Sequence, residues 1–249
     1  MKFPLYVALL NEYLDPFYQT KAVVGGHDWL HVRDVAAMGS KIHYLDFDLQ
    51  EFEVAALLHN TDRSVALKEK GAEFGGWEGF LRHLLKESPF SSADRDRIVF
   101  AVLNHSKKTL PAGTPDLAIA LQDADKLVRF RPSNLLYAGA HGGSMGVPAF
   151  LSTEPFGFTS TREKDRTSMW LGFMGNLEWV GMLSCDRARE LIDPDYLRLF
   201  LEYLRAFGRE TSEHVGCQNM SELDIKKALG NYYDWAIECA GMAVPSFTK

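Results

Sequence analysis

Apolar residues recur at the spacing of an α-helix along nearly the whole chain, whereas alternating apolar and polar residues between turn residues are scarce. Because a strand needs the second pattern, the sequence predicts an all-α protein. The chain has 249 residues, of which 46% are hydrophobic, so it can bury a sizeable core. We expect a bundle of about nine or ten helices. The candidate helices cover residues 5–20, 28–44, 49–60, 76–86, 92–106, 115–130, 162–184, 193–207 and 221–240.

Side chains that can accept backbone N–H groups mark the starts of several of these helices. The signal is a Ser or Asp followed three residues later by an acidic residue, which resembles a capping box. The pairs with this spacing are Asp48 with Glu51, Ser91 with Asp94, and Ser221 with Asp224. Each pair predicts a helix that begins at or beside its first residue.

The longest irregular stretch that the sequence predicts is 140–161, which begins with the loop His141-Gly142-Gly143 and contains several further Gly and Pro residues. A loop of this length in a compact domain is usually functional or mobile. It is either a lid or a hinge. We expect residues 1–249 to form a single helical domain, with 162–249 as a candidate C-terminal helical extension.

Charge and composition exclude several classes of partner as a default. The formal net charge is −6, so the chain has no basic surplus that favours a nucleic-acid polymer or an anionic membrane. No stretch approaches the roughly 20 apolar residues that cross a bilayer. Cys185, Cys217 and Cys239 are widely spaced and form no C-x-x-C pair, as expected of reduced cysteines in a cytoplasmic protein. A homodimer is left open.

The pair His59-Asn60 closes the apolar run 54–58, which predicts a buried helical segment. Polar side chains at the end of such a segment need partners, since a buried group without one costs roughly 1 to 3 kcal/mol. A metal ion or a dense hydrogen-bond network would supply them. The alternative is that Asn60 is a helix C-cap and His59 a hydrogen-bonded core histidine.

Two further clusters carry polar side chains at helical spacing. His27 and His31 are four residues apart and share a face if a helix begins at Asp28, although such a pair alone is more often a surface feature. Asp123 and Asp125 interrupt an otherwise apolar helix. A carboxylate buried there needs a cation, a strong donor or a shifted pKa. Asp123 is the better ligand candidate, and at least one of Asp125 and Lys126 is expected to face solvent.

The order of His31, then His59-Asn60, then Asp123 resembles the HD superfamily of metal-dependent phosphohydrolases. The flanking motifs strengthen the resemblance, which covers roughly residues 20–210. They are His27-Asp28-x-x-His31-x-Arg33, Asn104-His105-Ser106 and Asp123-Ala124-Asp125-Lys126-Leu127. The superfamily is named for a consecutive His-Asp pair, and this chain has Asn60 in place of the Asp.

The resemblance implies an HD-domain-like helical bundle that binds a divalent metal ion. Its ligands would be His31, His59, Asn60 and Asp123, and the ion would be manganese, iron, nickel, zinc or magnesium. The implied activity is hydrolysis of a small phosphate ester or nucleotide, so the expected partner is a small phosphorylated molecule. Because Asn60 is neutral, the alternative is a degenerate HD protein that binds a phosphorylated ligand without hydrolysis.

The candidate catalytic residues are Asp28, Asp62 and His105. Asp28 would act as a general acid or base, or it is only the N-cap of its helix. Asp62 would replace the missing carboxylate if the helix unwinds after His59. His105, beside Ser106 and two lysines, would bind a second metal ion or a phosphate.

The candidate substrate-binding residues are Arg33, Lys126 and His141. Arg33 would clamp a phosphate or pair with a neighbouring aspartate. Lys126 would add a phosphate contact. His141 would cover the site from the front of the 140–161 loop, or it is an ordinary turn residue.

Overall fold

The computed structural model describes residues 1–18, 28–107, 109–144, 146–151, 155–158 and 168–243. Every regular element within these ranges is a helix, which confirms the all-α prediction. Contacts divide the chain into two compact units, Met1–Val128 and Arg129–Lys249. The polar clusters around His31, His59 and Asp125 all lie in the first unit.

The first unit contains seven α-helices within its described residues. They are α1 Phe3–Tyr18, α2 Trp29–Met38, α3 Leu49–Leu58, α4 Val65–Glu73, α5 Trp77–Leu85, α6 Ser92–Asn104 and α7 Asp116–Val128. α4 is absent from the helices expected from sequence, because its segment combines Lys and Glu with few apolar residues and has a weak periodic pattern.

Helix α3 lies at the centre of this unit, where it packs against α2, α6 and α7. Its residues Val54 to Leu58 are all buried, as expected for a helix that is apolar on every side. Asp48 caps its N-terminus by accepting the N–H groups of Gln50 and Glu51. The helix ends at Leu58, so the pair His59-Asn60 is held inside the unit.

The predicted helix 28–44 ends earlier, at Met38, and continues as the 3-10 turn Gly39–Lys41. Gly39 lies against the ring of Phe52 on α3. A Cβ atom at Gly39 would lie 2.4 Å from Phe52 Cδ1, so this close approach of α2 to α3 requires glycine. The close packing of the two helices brings His31 and His59 to the same region.

The second unit, described by itself, contains α8 Pro132–Ser144, α9 Met169–Met182, α10 Asp186–Arg189, α11 Pro194–Val215, α12 Ser221–Leu229 and α13 Tyr233–Cys239. α8 replaces the front of the predicted 140–161 loop with helix, so the turn expected at 141–143 is wrong. The predicted helix 221–240 is interrupted at Gly230, whose φ of 55° is left-handed. The candidate boundary at residue 162 lies outside the described residues.

A buried carboxylate holds part of the second unit together. Asp224 accepts hydrogen bonds from the backbone N–H of Gly157 and Phe158 and from the indole N–H of Trp170, at 3.0, 3.1 and 2.9 Å. The capping box predicted for Ser221 and Asp224 is therefore wrong, and α12 has no side-chain cap. Tertiary donors satisfy the buried charge more fully than a single cap bond would.

No helix among the described residues combines the length and the apolar character needed to cross a membrane.

Candidate metal centre

His31 is placed by the first turn of α2. Asp28 is the N-cap of this helix, and its carboxylate accepts the backbone N–H of His31 at 3.0 Å. The histidine side chain is 2% exposed. Its Nε2 atom lies 3.2 Å from Nε2 of His59, which comes from the end of α3. The cap thus fixes the backbone from which the first candidate ligand projects.

A hydrogen bond from Nδ1 to the preceding helical turn orients the rings of both His59 and His105. Each is the C-cap of its helix, α3 or α6, and each donates Nδ1–H to the carbonyl three residues earlier, Ala56 at 2.6 Å and Val102 at 2.7 Å. The two rings are perpendicular, with centroids 5.2 Å apart. With Nδ1 engaged, Nε2 is the remaining ligand atom of each imidazole, which is the usual arrangement of a metal-binding histidine.

Burial keeps His59 neutral. Its pKa is held well below the ordinary value, first by burial and then by the nearby His105 and His31, although Asp125 acts in the opposite direction. A neutral imidazole that carries its proton on Nδ1 has a lone pair on Nε2. His59 is therefore in the protonation state that a metal ion requires.

The carboxylate that joins the two histidines is Asp125 on α7. Its Oδ1 lies 3.0 Å from Nε2 of His31 and 4.0 Å from Nε2 of His59. Among the described residues, His31, His59 and Asp125 form the group whose ligand atoms all lie within 4.8 Å of one another. This group could hold a metal ion, as the sequence predicted in general terms.

The donor spacing fits a single divalent cation. Ligand atoms bonded at about 2.1 Å lie about 3.0 Å apart when adjacent in an octahedral shell and about 4.2 Å apart when opposite. The observed separations are 3.0 and 3.2 Å for the adjacent pairs and 4.0 Å for the wide pair. The side chain of Asp125 is partly exposed, so the centre opens to solvent on that side.

Asn60 lies beside this group and is fully buried, with 0% exposure. Its Nδ2 is 2.6 Å from Nε2 of His59 and donates to that lone pair. Its carbonyl Oδ1 is buried without a hydrogen-bond partner. An unpartnered acceptor in this position is one feature expected of a residue that faces a cation site.

No family model matches the chain, and no curated protein matches it. Bacillus subtilis YpgQ, in a crystal structure with ADP, shares 21% identity, covering 84% of this chain and 97% of its own, with a TM-score of 0.58. A Lactobacillus plantarum structural genomics target shares 16% identity over 84% of this chain and 98% of its own, with a TM-score of 0.64.

The chain therefore shares its all-α fold with these two structures. At these identities the likeness concerns the fold alone. What the chain binds has to be argued from its own residues.

The expected ligand Asp123 is placed differently from Asp125. Asp123 is 1% exposed, and its Oδ2 accepts the hydroxyl of Tyr44 at 2.9 Å. It does not belong to the converging group. The sequence favoured Asp123 over Asp125 as the ligand. Residues two apart on a helix point in different directions, so the two carboxylates were not expected to share one partner.

Asp62 lies outside the converging group as well. The chain leaves α3 after Leu58 and forms the 3-10 turn Thr61–Arg63, so the helix does unwind at the expected place. The Asp62 carboxylate lies 3.7 Å from Nε of Arg63. Its role as a replacement ligand or catalytic residue stays a prediction.

Arg33 lines a cleft of about 730 Å³ between α1, α2 and α3, together with Trp29 and Glu53. Because it is two residues from His31, it projects from a different face of α2. Lys126 donates to Oε1 of Gln122 at 2.8 Å, and burial lowers its pKa despite the nearby Asp123 and Asp125. The side chain of His141, on α8, and residue His27 lie outside the described part of the structure.

Proposed function

We propose that the chain is a metal-dependent phosphohydrolase that acts on a small phosphate ester or nucleotide. The observation that supports this most directly is the convergence of His31 Nε2, His59 Nε2 and Asp125 Oδ1 within 4.8 Å in an HD-type fold. The nitrogen-rich donor set suits manganese, iron, nickel or zinc better than magnesium. The ADP in the YpgQ structure supports a nucleotide as the class of ligand to test first.

In this proposal, each residue near the centre has a distinct role. A cation held by His31, His59 and Asp125 would polarise a phosphoryl oxygen and lower the pKa of water. Ala56 fixes the ring of His59 through Nδ1. Asp125 supplies the negative charge that the cation requires and sits on the solvent-facing side, where a phosphate ester would arrive. Lys126 lies close by as a candidate positive group for the phosphate, and His105 as a candidate ligand of a second metal ion.

The test begins with metal analysis of the purified chain. Turnover of p-nitrophenyl phosphate and of nucleoside mono-, di- and triphosphates is then measured with manganese, nickel or magnesium. We expect turnover that is abolished by chelation and by His31→Ala. The matched control is His43→Ala, which changes an exposed histidine. Absence of metal and turnover in the wild type, with His31→Ala indistinguishable from it, would contradict the proposal.

A specific observation favours a second function, binding of a phosphorylated ligand without hydrolysis. Asn60 Nδ2 already occupies the lone pair of His59 at 2.6 Å, and the candidate ligand set contains a single anionic residue, Asp125. Both features lower cation affinity. If the site is merely impaired, Asn60→Asp should greatly increase metal binding and turnover. No gain, together with thermal stabilisation of the wild type by ADP, would favour the binding function.

A further inference from the structure

A cleft of about 730 Å³ lies between α1, α2 and α3, outside the metal centre. Of the described residues that line it, none belongs to the group of His31, His59 and Asp125. α1 and α2 both pack on α3, and the small residues Ala36 and Ala37 of α2 leave space beside them. Small-molecule sites in proteins commonly have volumes of roughly 300 to 1,000 Å³. The cleft is therefore large enough for a ligand of its own.

The described side chains of the cleft carry more negative than positive charge. Glu12 and Asp15 on α1 and Glu53 on α3 are the acidic residues, and Arg33 on α2 is the basic one. Three carboxylates and one guanidinium leave a formal excess of two negative charges. Such a lining repels phosphate and other anions and attracts cations. The charge thus favours a ligand with at least two positive groups.

Glu53 is a half-buried carboxylate without a compensating cation. Burial raises its pKa, and no positive group of the described residues acts in the opposite direction. Arg33 therefore does not neutralise it, although both side chains line the cleft. A carboxylate removed from water is stable only when a cation or strong donors accompany it, so a positive ligand would remove this cost.

Asn11 provides a second unsatisfied acceptor in the same cleft. Its carbonyl Oδ1 is buried without a hydrogen-bond partner. A buried acceptor in this state is unfavourable, and such groups in native proteins usually have a functional reason. A carboxylate that lacks a cation and a carbonyl that lacks a donor need the same kind of partner. An ammonium group supplies both the positive charge and the N–H donors.

A single metal ion does not match the arrangement of these groups. Among the described residues, the acidic side chains of the cleft belong to no set whose ligand atoms converge within 4.8 Å. Because they come from two helices, the positive charges of a ligand must be spread as well. The α2 side of the cleft, from Trp29 to Ser40, extends for roughly 16 Å at 1.5 Å per residue. The apolar part of the lining includes the buried Phe52 and Leu57, so an elongated ligand with an apolar chain fits best.

We propose that this cleft binds a small aliphatic polyamine. Its amino groups pair with Glu53, Glu12 and Asp15, and its methylene segments lie on the apolar lining. Trp29, whose ring is stacked on that of Tyr18 with centroids 5.4 Å apart, adds an aromatic ring with which an ammonium group interacts favourably. The inference depends neither on the metal centre nor on phosphatase activity.

The experiment measures polyamine binding alone, without substrate. The full chain, stripped of metal with chelator and dialysed, is titrated calorimetrically with spermidine, putrescine, butylamine and magnesium chloride. We expect spermidine to bind most tightly and butylamine, which has a single positive charge, to bind most weakly of the three amines. Magnesium should bind at least about tenfold more weakly than spermidine, because the carboxylates do not converge on one ion.

Two variants test the charge and the space of the cleft separately. Glu53→Gln removes a carboxylate and should weaken spermidine binding at least about fivefold. Ala37→Phe keeps every charge but fills part of the cleft, and it should weaken binding to a similar degree. Because Ala37 is exposed, the larger side chain does not disturb the core. Glu73→Gln is the matched control, since it makes the same change in net charge at an exposed residue of α4 outside the cleft.

The inference would be overturned if spermidine does not bind, or if it binds equally well to the wild type and to either cleft variant. Equal weakening by Glu73→Gln, which would show attraction to net charge alone, or magnesium binding as tight as that of spermidine would overturn it too. Circular dichroism checks that each variant is folded. Glu12→Gln, at an exposed residue, replaces Glu53→Gln with the same expectation if the latter does not fold.

His31→Ala separates this site from the metal centre. It should bind spermidine like the wild type, because His31 does not line the cleft. Loss of spermidine binding in this variant would place the polyamine at the metal centre and overturn the inference. Spermidine binding at the cleft in a chain without phosphatase turnover would uphold the inference and reject the hydrolase function alone.

Discussion

At the scale of single residues, Asp123 and Asp125 show how two carboxylates of one helix acquire different partners. Successive residues of an α-helix are rotated by about 100°, so side chains two apart are separated by about 200°. In α7, Asp125 faces His31 at 3.0 Å and Asp123 faces the hydroxyl of Tyr44 at 2.9 Å. Of the two, Asp125 belongs to the converging group.

We expect Asp125→Asn to lower the affinity for zinc or manganese by about tenfold or more, because it removes the anionic group of the converging set. Asp123→Asn should leave cation affinity nearly unchanged. Instead it should lower the free energy of unfolding by about 1 kcal/mol, because the hydroxyl of Tyr44 would then donate to a neutral amide oxygen and not to a carboxylate. Calorimetric titration and urea unfolding measure the two effects.

Tyr44→Phe is the matched variant, since it removes the donor of this hydrogen bond. It should resemble Asp123→Asn in stability and the wild type in cation affinity. If Asp123→Asn loses the cation and Asp125→Asn keeps it, Asp123 is the ligand that the sequence suggested, and the assignment of Asp125 is wrong.

At the scale of elements, helix ends place the histidines. The N-cap of α2 holds the backbone of His31, and the C-termini of α3 and α6 present His59 and His105 with Nδ1 bound to their own helices. Side chains at helix ends have backbone groups within reach that helix interiors lack. The centre is therefore built from terminal turns around a buried central helix.

Because Asp28 is the N-cap of α2, its replacement should change stability separately from any change in turnover. Asp28→Ala should lower the free energy of unfolding by about 1 kcal/mol, since the N–H of His31 loses its acceptor. Asp28→Ser, which retains a capping oxygen, should preserve most of that stability. Urea unfolding of both variants measures the difference.

Turnover of the same two variants tests whether Asp28 is also a general acid or base. If it only caps α2, Asp28→Ser should keep the turnover of the wild type. A large loss of turnover in Asp28→Ser, with stability retained, would show that the carboxylate itself takes part in the reaction.

At the scale of the whole molecule, the candidate ligands come from three helices of one unit. His31, His59 and Asp125 all lie within Met1–Val128, although about 95 residues of chain separate the first from the last. A cation bound to all three would connect α2, α3 and α7. Binding to the native state alone stabilises it by mass action.

We therefore expect zinc or nickel at 100 times its dissociation constant to stabilise the chain by about 2.7 kcal/mol, measured by thermal unfolding with and without chelator. Hydrogen exchange should slow most in α2, α3 and α7. His31→Ala should abolish both effects, whereas His43→Ala should not. Protection confined to Arg129–Lys249 would place the cation elsewhere.

Much of the first unit could be predicted from sequence, because its signals are local. Helical periodicity identified α1, α3, α5 and α6, and the pair Ser91 with Asp94 forms the expected capping box. The polar pair His59-Asn60 after a buried run correctly indicated side chains that need partners. These features depend on residues within one or two turns of each other.

Other features of the candidate site depend on the tertiary structure. The sequence by itself determined that the chain is helical and that the polar pair His59-Asn60 follows an apolar run that is buried. It could not determine the rotation of α7 about its axis, which brings Asp125 rather than Asp123 to the histidines, because that rotation depends on packing against α2, α3 and α6. Nor could it show that the Asn60 carbonyl has no partner, since burial of an atom is a property of everything that surrounds it.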